Sequence, residues 1–168
     1  MNGEVTVFGS YIVALFMTGG PIPKPGETVV AKDFFEGPGG KGSNQAIAAS
    51  KLGTSTTFLA KIGDDNYGDD ALAMYKQHKV DTSLIIIDKD NPTGIGFVTV
   101  DLKGENAISI TLGANDNITT EEIDMIIPQV KGTKIIGFQL ENNVDAVEYA
   151  IKKAKQEGIS TLLDPATV

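Results

Sequence analysis

The sequence predicts an α/β domain, a parallel-sheet sandwich that carries a small β lid. Three observations lead there. Short β-rich runs alternate with amphipathic helical stretches along most of the chain, the pattern of βαβ units on a parallel sheet. Two segments, at about residues 11–36 and 94–112, interrupt that alternation with extended sequence and read as the lid. The 168 residues, 41% apolar and 21% charged, suffice for one core and leave little room for a second.

Residues 4–10 are β-rich and end in Gly9-Ser10, a first strand. Pro23-Lys24-Pro25-Gly26 is turn chemistry, because proline fixes φ and glycine supplies unusual dihedrals. Residues 29–35 offer another strand, and from Gly37 to Gly42 the glycines and Pro38 are expected to break regular structure. A helix is expected from Ser43, burying Ala46, Ile47, Ala49 and Leu52 and stopping at Gly53. Residues 56–62 read as a strand, Gly63-Asp64-Asp65 as a turn, and residues 67–79 as an amphipathic helix. Residues 83–87 form an apolar run of the kind expected for a buried strand.

Residues 94–102 and 106–112 alternate around Lys103-Gly104-Glu105, which reads as a hairpin. Thr119 or Thr120 starts a helix with Glu121 and Glu122 in its first turn, where carboxylates favour the helix dipole. A strand at 134–140, a helix at 144–156 and a strand at 160–163 complete the series. Ligands of open α/β sheets sit beyond the carboxyl ends of the strands. A chain that stops just after such an end is expected to be truncated, the N-terminal part (1–168) of a single domain.

Composition removes several function classes. Without cysteine there is no disulfide framework, thiolate nucleophile or zinc–thiolate site. The net charge is −8, and all 14 basic residues are lysine. Nucleic-acid binders concentrate positive charge and favour Arg at base edges, so nucleic acid is not an expected partner. The longest apolar run, residues 11–17, is far short of the ~20 residues a membrane span needs. The N-terminus lacks the basic start and apolar stretch of a secretory signal. A cytoplasmic location away from membranes is expected. The single histidine, His78, lies among Lys76, Gln77 and Lys79 and reads as solvated.

Gly39-Gly40-Lys41-Gly42-Ser43-Asn44-Gln45-Ala46 is the most informative stretch. Clustered glycines let a backbone approach a ligand closely. The helix that follows aims its free N–H groups and dipole at the same spot. Lys41 adds a cation, and Asn44 an amide that both donates and accepts. Together these groups suit a polyol or a phosphate-bearing ligand. Gly37-x-Gly39-x-x-Gly42, with Asp64 downstream, also matches a dinucleotide fingerprint, and a plain helix-capping loop fits as well. A Walker A loop fails, because Gly42 follows Lys41.

This block, continuing through Ala48-Ala49 to Leu52-Gly53, is similar to the first signature of PfkB-type carbohydrate kinases and closest to the ribokinase version. Further landmarks follow in family order: Gly9-Ser10, Lys24-Pro25-Gly26-Glu27-Thr28, Gly63-Asp64-Asp65, Thr93-Gly94, Gly104-Glu105-Asn106, Gly113-Ala114-Asn115, Gln139-Leu140-Glu141 and Asp164-Pro165-Ala166. The resemblance implies a ribokinase-like fold and ATP-dependent phosphorylation of a small sugar hydroxyl. It puts Gly40, Lys41 and Asn44 in the sugar site, and Glu141 as an acceptor for a sugar hydroxyl. It implies a homodimer paired through the lids, where Val98, Val100, Ile108 and Ile110 leave an apolar face. It also implies ATP and Mg²⁺ as cofactors of the full-length family member.

The match is incomplete. Where the family grips the sugar with an Asn and an Asp after the first strand, this chain has Ile12 and Ala14, which puts ribose itself in question. The DTxGAGD block that supplies the catalytic base and anion hole is absent, as is the Asn-x-x-Glu motif tied to Mg²⁺ and phosphate. Asp64 and Asp65 read as turn formers and not as a replacement base. The chain alone is expected to be inactive, and the alternative is a non-catalytic sugar- or nucleoside-binding fragment that needs a partner half.

Overall fold

The strand β1 (Val5–Phe8) sits at the middle of a five-stranded sheet in the computed structural model, which describes residues 4–165. It pairs in parallel with β4 (Thr56–Gly63) on one side and β8 (Ile135–Phe138) on the other. Beyond them lie the edge strands β5 (Asp81–Asp88) and β9 (Ser160–Leu163), also parallel. Successive side chains of a strand point to opposite faces, and here both faces are covered. Val7, Phe58, Ala60 and Ile62 pack with Ala46 of α1 (Lys41–Lys51) and with Ala71 and Tyr75 of α2 (Asn66–Gln77). Phe8, Leu59, Ile136 and Phe138 pack with Ile123 of α3 (Thr120–Ile126) and with Val147 and Ala150 of α4 (Val144–Gln156). The expected parallel-sheet sandwich is therefore present, and every residue of β4 is buried in it.

A separate four-stranded sheet forms the lid, ordered β3 (Asp33–Gly39), β2 (Ile12–Thr18), β6 (Gly94–Val100) and β7 (Asn106–Thr111). β2 runs parallel to β6 and antiparallel to β3, and β6 and β7 make the expected hairpin. Register puts Ile12 and Ala14 opposite Gly39 and Gly37 and beside Gly94 and Gly96 on one face. Val13, Pro38 and Ile95 lie on the other.

Several expectations shift. β3 covers 33–39 rather than 29–35, so Gly37 to Gly39 is strand; Pro38 is tolerated because β3 is an edge. α1 begins at Lys41, two residues before Ser43, and Leu52 is 86% exposed instead of closing its buried face. The apolar run at 83–87 lies in β5, an edge strand with Ile87 exposed, so the run does not mark a central position. Of the expected exposed lid residues, Ile108 and Ile110 are open to solvent, Val100 is half-buried and Val98 is buried. None of the helices among the described residues is long and apolar enough to cross a membrane.

Candidate functional site

The Gly-rich block stands where three elements meet: the end of β1, the start of α1 and the end of β8. Gly40 precedes α1 with φ +90°, a conformation that favours glycine. A Cβ there would stand 2.5 Å from the Ser10 carbonyl oxygen, and one on Gly42 would meet the Gly9 Cα at the same distance. The glycines thus serve to bring helix against strand end, with Ser43 N–H donating to the Ser10 carbonyl at 3.0 Å. Buried Ser43 also accepts from the Tyr75 hydroxyl, which ties α1 to α2.

Glu141, three residues past the end of β8, closes the site. Its carboxylate accepts from the Ser10 hydroxyl at 2.7 Å, the Lys41 backbone N–H at 2.8 Å and the Lys41 ammonium at 2.6 Å. Burial works to raise its pKa, but the Lys41 side-chain and backbone bonds and the Ser10 bond outweigh it and hold the carboxyl below its usual range. It is an anion held at the N-terminus of α1, the place such a helix favours for negative charge.

That contact corrects one expectation. Two of the first three N–H groups of α1 are already taken: Lys41 N–H is given to Glu141 and Ser43 N–H to Ser10. What remains open is hydroxyl chemistry on a fixed Lys41–Glu141 ion pair. Asn44 is exposed and does not cap the helix, since Gly40 holds that position. It lies one turn from Lys41, and residues three apart share a helix face.

Of the four residues anticipated here, Lys41 and Glu141 meet directly, Gly40 precedes Lys41 against Ser10, and Asn44 stands on the same face of α1 as Lys41. Sequence reasoning had not singled out Ser10 or Gln139 as parts of the site. Gln139 is fully buried and donates to Gln45, which in turn donates to Asp164 after β9. Its Oε1 and both polar atoms of buried Asn142 have no hydrogen-bond partner among the described residues. The usable signal was their position, since each follows a central strand at its carboxyl end. Ile12 and Ala14 are both buried and present no polar side chain to the lid face they share.

A second polar centre lies at the far end of β4. Buried Lys61 donates to the Asn117 carbonyl and to Glu122, and its ammonium is 3.7 Å from Asp88. It joins β4, β5 and the start of α3 and is structural. Among the described residues no three His, Cys, Asp or Glu side chains gather closely enough to hold a metal ion.

A family model described as "pfkB family carbohydrate kinase" matches residues 2–168. The deoxyribokinase of Salmonella typhi is 35% identical over 163 residues, 97% of this chain and 53% of its own length. The ribokinase of Staphylococcus aureus is 36% identical over 167 residues, 99% of this chain and 55% of its own. The structure of Arabidopsis thaliana ribokinase complexed with ribose and ATP superposes with a TM-score of 0.82 at 27% identity, covering 100% of this chain and 55% of that one. The chain spans about half the length of the curated relatives it matches.

Proposed function

The chain belongs to the pfkB family of carbohydrate kinases, and from that premise we propose that it is the sugar-holding part of a kinase that phosphorylates a hydroxyl of a small sugar with ATP. The observation that carries this reading is the Lys41–Glu141 pair, fixed at the meeting of β1, β8 and α1. Lys41 and Asn44 offer donors to sugar oxygens, Glu141 accepts from a hydroxyl, and Gly40 lets the chain approach closely. A half-buried ion pair whose carboxylate is already held by Ser10 and backbone positions hydroxyls without moving, which is how such sites discriminate.

Ile12 and Ala14 narrow the substrate. Their lid face supplies no hydrogen bond, so a sugar with one hydroxyl fewer suits it better than ribose. A 2-deoxyribose type of substrate, of the kind named for one relative, fits that wall.

The residues present do not fit the other half of the reaction. A DTxGAGD block is absent from the sequence, and Glu141 occupies the N-terminus of α1. No transfer step is therefore assigned to this chain. A coupled ADP-release assay with ribose, 2-deoxyribose, fructose and nucleosides is expected to stay at background. Sustained turnover by the purified chain overturns the inactivity.

A second reading, a sugar-binding half that needs a partner half, is favoured by one observation. The free edge of β9 and the neighbouring face of α4 leave an apolar groove lined by Leu140, Val144, Val147, Ile151 and Leu163. The homodimer is proposed through β7, the outer lid strand, where Ile108 and Ile110 are exposed. Light scattering that shows a monomer at high concentration counts against it.

A further inference from the structure

Ser10 lies between β1 and β2, where the chain crosses from the central sheet into the lid. It is fully buried, and its carbonyl accepts from the Ser43 N–H at 3.0 Å. The next residue, Tyr11, is clamped by the fully buried Asn115 side chain, which accepts from its N–H at 3.0 Å and donates to its carbonyl at 2.8 Å. The same Asn115 amide donates to the Leu112 carbonyl at 2.7 Å, where the chain leaves the lid. Ser10 is thus held on both sides, with its hydroxyl left to act. A serine hydroxyl can turn back onto nearby backbone. This one is given instead to Glu141, 131 residues away in sequence.

Counting acceptors shows what that bond does. An ionised carboxylate has about four acceptor sites, two on each oxygen. On Glu141, Oε2 takes the Ser10 hydroxyl at 2.7 Å and the Lys41 N–H at 2.8 Å, which fill both of its sites. Oε1 takes the Lys41 ammonium at 2.6 Å. Among the described residues that leaves one acceptor site, and it is on Oε1. The ammonium beside it has two further hydrogens, on a side chain that is 35% exposed. The open side of the ion pair is the side of Oε1 and Nζ. Charge-assisted bonds of this length favour the ionised acceptor. Burial works to raise the Glu141 pKa, and the Lys41 bonds, followed by the Ser10 bond, outweigh it.

Resting on the reading that Glu141 accepts a sugar hydroxyl, we propose that Ser10 is a positioning residue of the sugar site: its hydroxyl fills the second acceptor site of Oε2, so that Glu141 meets the sugar through Oε1 alone, beside the Lys41 ammonium. Ser10 acts through Glu141 and touches no sugar itself.

The test takes one readout without sugar and one with it. The Glu141 carboxyl carbon, isotope-labelled and assigned by its loss in Glu141→Gln, is titrated by NMR in wild type, Ser10→Ala and Tyr75→Phe. Tyr75→Phe deletes another buried hydroxyl bond of the neighbourhood, from Tyr75 to Ser43 at 2.8 Å, and leaves the bonds of Glu141 in place. Both variants lose a buried bond and are expected to melt at a lower temperature. Only Ser10→Ala is expected to raise the Glu141 midpoint. Calorimetric titration of 2-deoxyribose at pH 7 should show binding weakened roughly threefold to tenfold in Ser10→Ala, the loss of one charge-assisted contact, and wild-type affinity in Tyr75→Phe. As pH falls, binding by Ser10→Ala should fail at a higher pH than binding by wild type, because its carboxylate is lost sooner. An unchanged Glu141 midpoint in Ser10→Ala, equal midpoint shifts in both variants, or wild-type sugar affinity in Ser10→Ala overturns the proposal. A raised midpoint in Ser10→Ala with no sugar binding by wild type supports the hold of Ser10 on Glu141 and overturns the sugar reading beneath it.

Discussion

Glu141 offers the sharpest perturbation of the site. Glu141→Ala leaves the Lys41 N–H and the Ser10 hydroxyl, now at 2.8 and 2.7 Å from its carboxylate, without an acceptor. Each stranded group costs about 1–3 kcal/mol. The Lys41 side chain is 35% exposed, so its ammonium rehydrates and adds at most about 1 kcal/mol. The sum is roughly 2–7 kcal/mol, and at about 2–4 °C per kcal/mol for a chain of this size the melting temperature should fall by roughly 4–28 °C. Glu141→Gln keeps one acceptor oxygen for Ser10 and Lys41 N–H and loses the charge and the acceptor facing the exposed Lys41 ammonium, so about 1–2 kcal/mol is expected.

The glutamine variant also carries a pH signature. The native pKa of Glu141 lies below its ordinary 4.5, so its stabilising effect is fully present above 4.5 and is lost as pH falls through the depressed native value. Scanning calorimetry of wild type and Glu141→Gln from pH 7 downward should show a gap that closes in acid. Parallel curves at all pH values, or a variant as stable as wild type at pH 7, refute the account of this carboxylate.

Other perturbations probe the rest of the frame. Gly40→Ala forces a side chain into positive φ and against the Ser10 carbonyl; a loss of about 2 kcal/mol or more in urea unfolding is expected. Lys61→Met leaves Asp88 and Glu122 without their cation, and a loss of about 3 kcal/mol is expected by the same measurement. Asp65→Ala removes the α2 cap and the bonds to Thr93 N–H and Oγ1. It should lower stability by about 2 kcal/mol and speed hydrogen exchange in β6. Ala14→Asp restores a hydrogen-bonding group to the lid face and should tighten ribose binding by roughly tenfold in calorimetry.

The strand–helix alternation was legible because buried parallel strands and amphipathic helices differ in period, and residues 144–156 and 160–163 have the bounds the pattern predicts. The start of α1 was hidden for a physical reason. Glycine is a poor helix former, yet Gly42 lies in the first helical turn because any side chain there would collide with Gly9. Burial of residues 83–87 was misread because an apolar run looks alike at an edge and at a centre, and only the strand order distinguishes them. Lys41 and Glu141 were each visible as candidates, but the bond between them, 100 residues apart, depends on β1 and β8 being neighbours.

The central claim is that this chain grips a sugar through Lys41, Asn44 and Glu141. Calorimetric titration of 2-deoxyribose and ribose into wild type and into the double variant Lys41→Met, Asn44→Ala tests it most directly. Saturable binding by wild type, tighter for 2-deoxyribose and lost in a double variant that still melts cooperatively, is the predicted result. Absence of binding by wild type, or equal binding by the double variant, contradicts it.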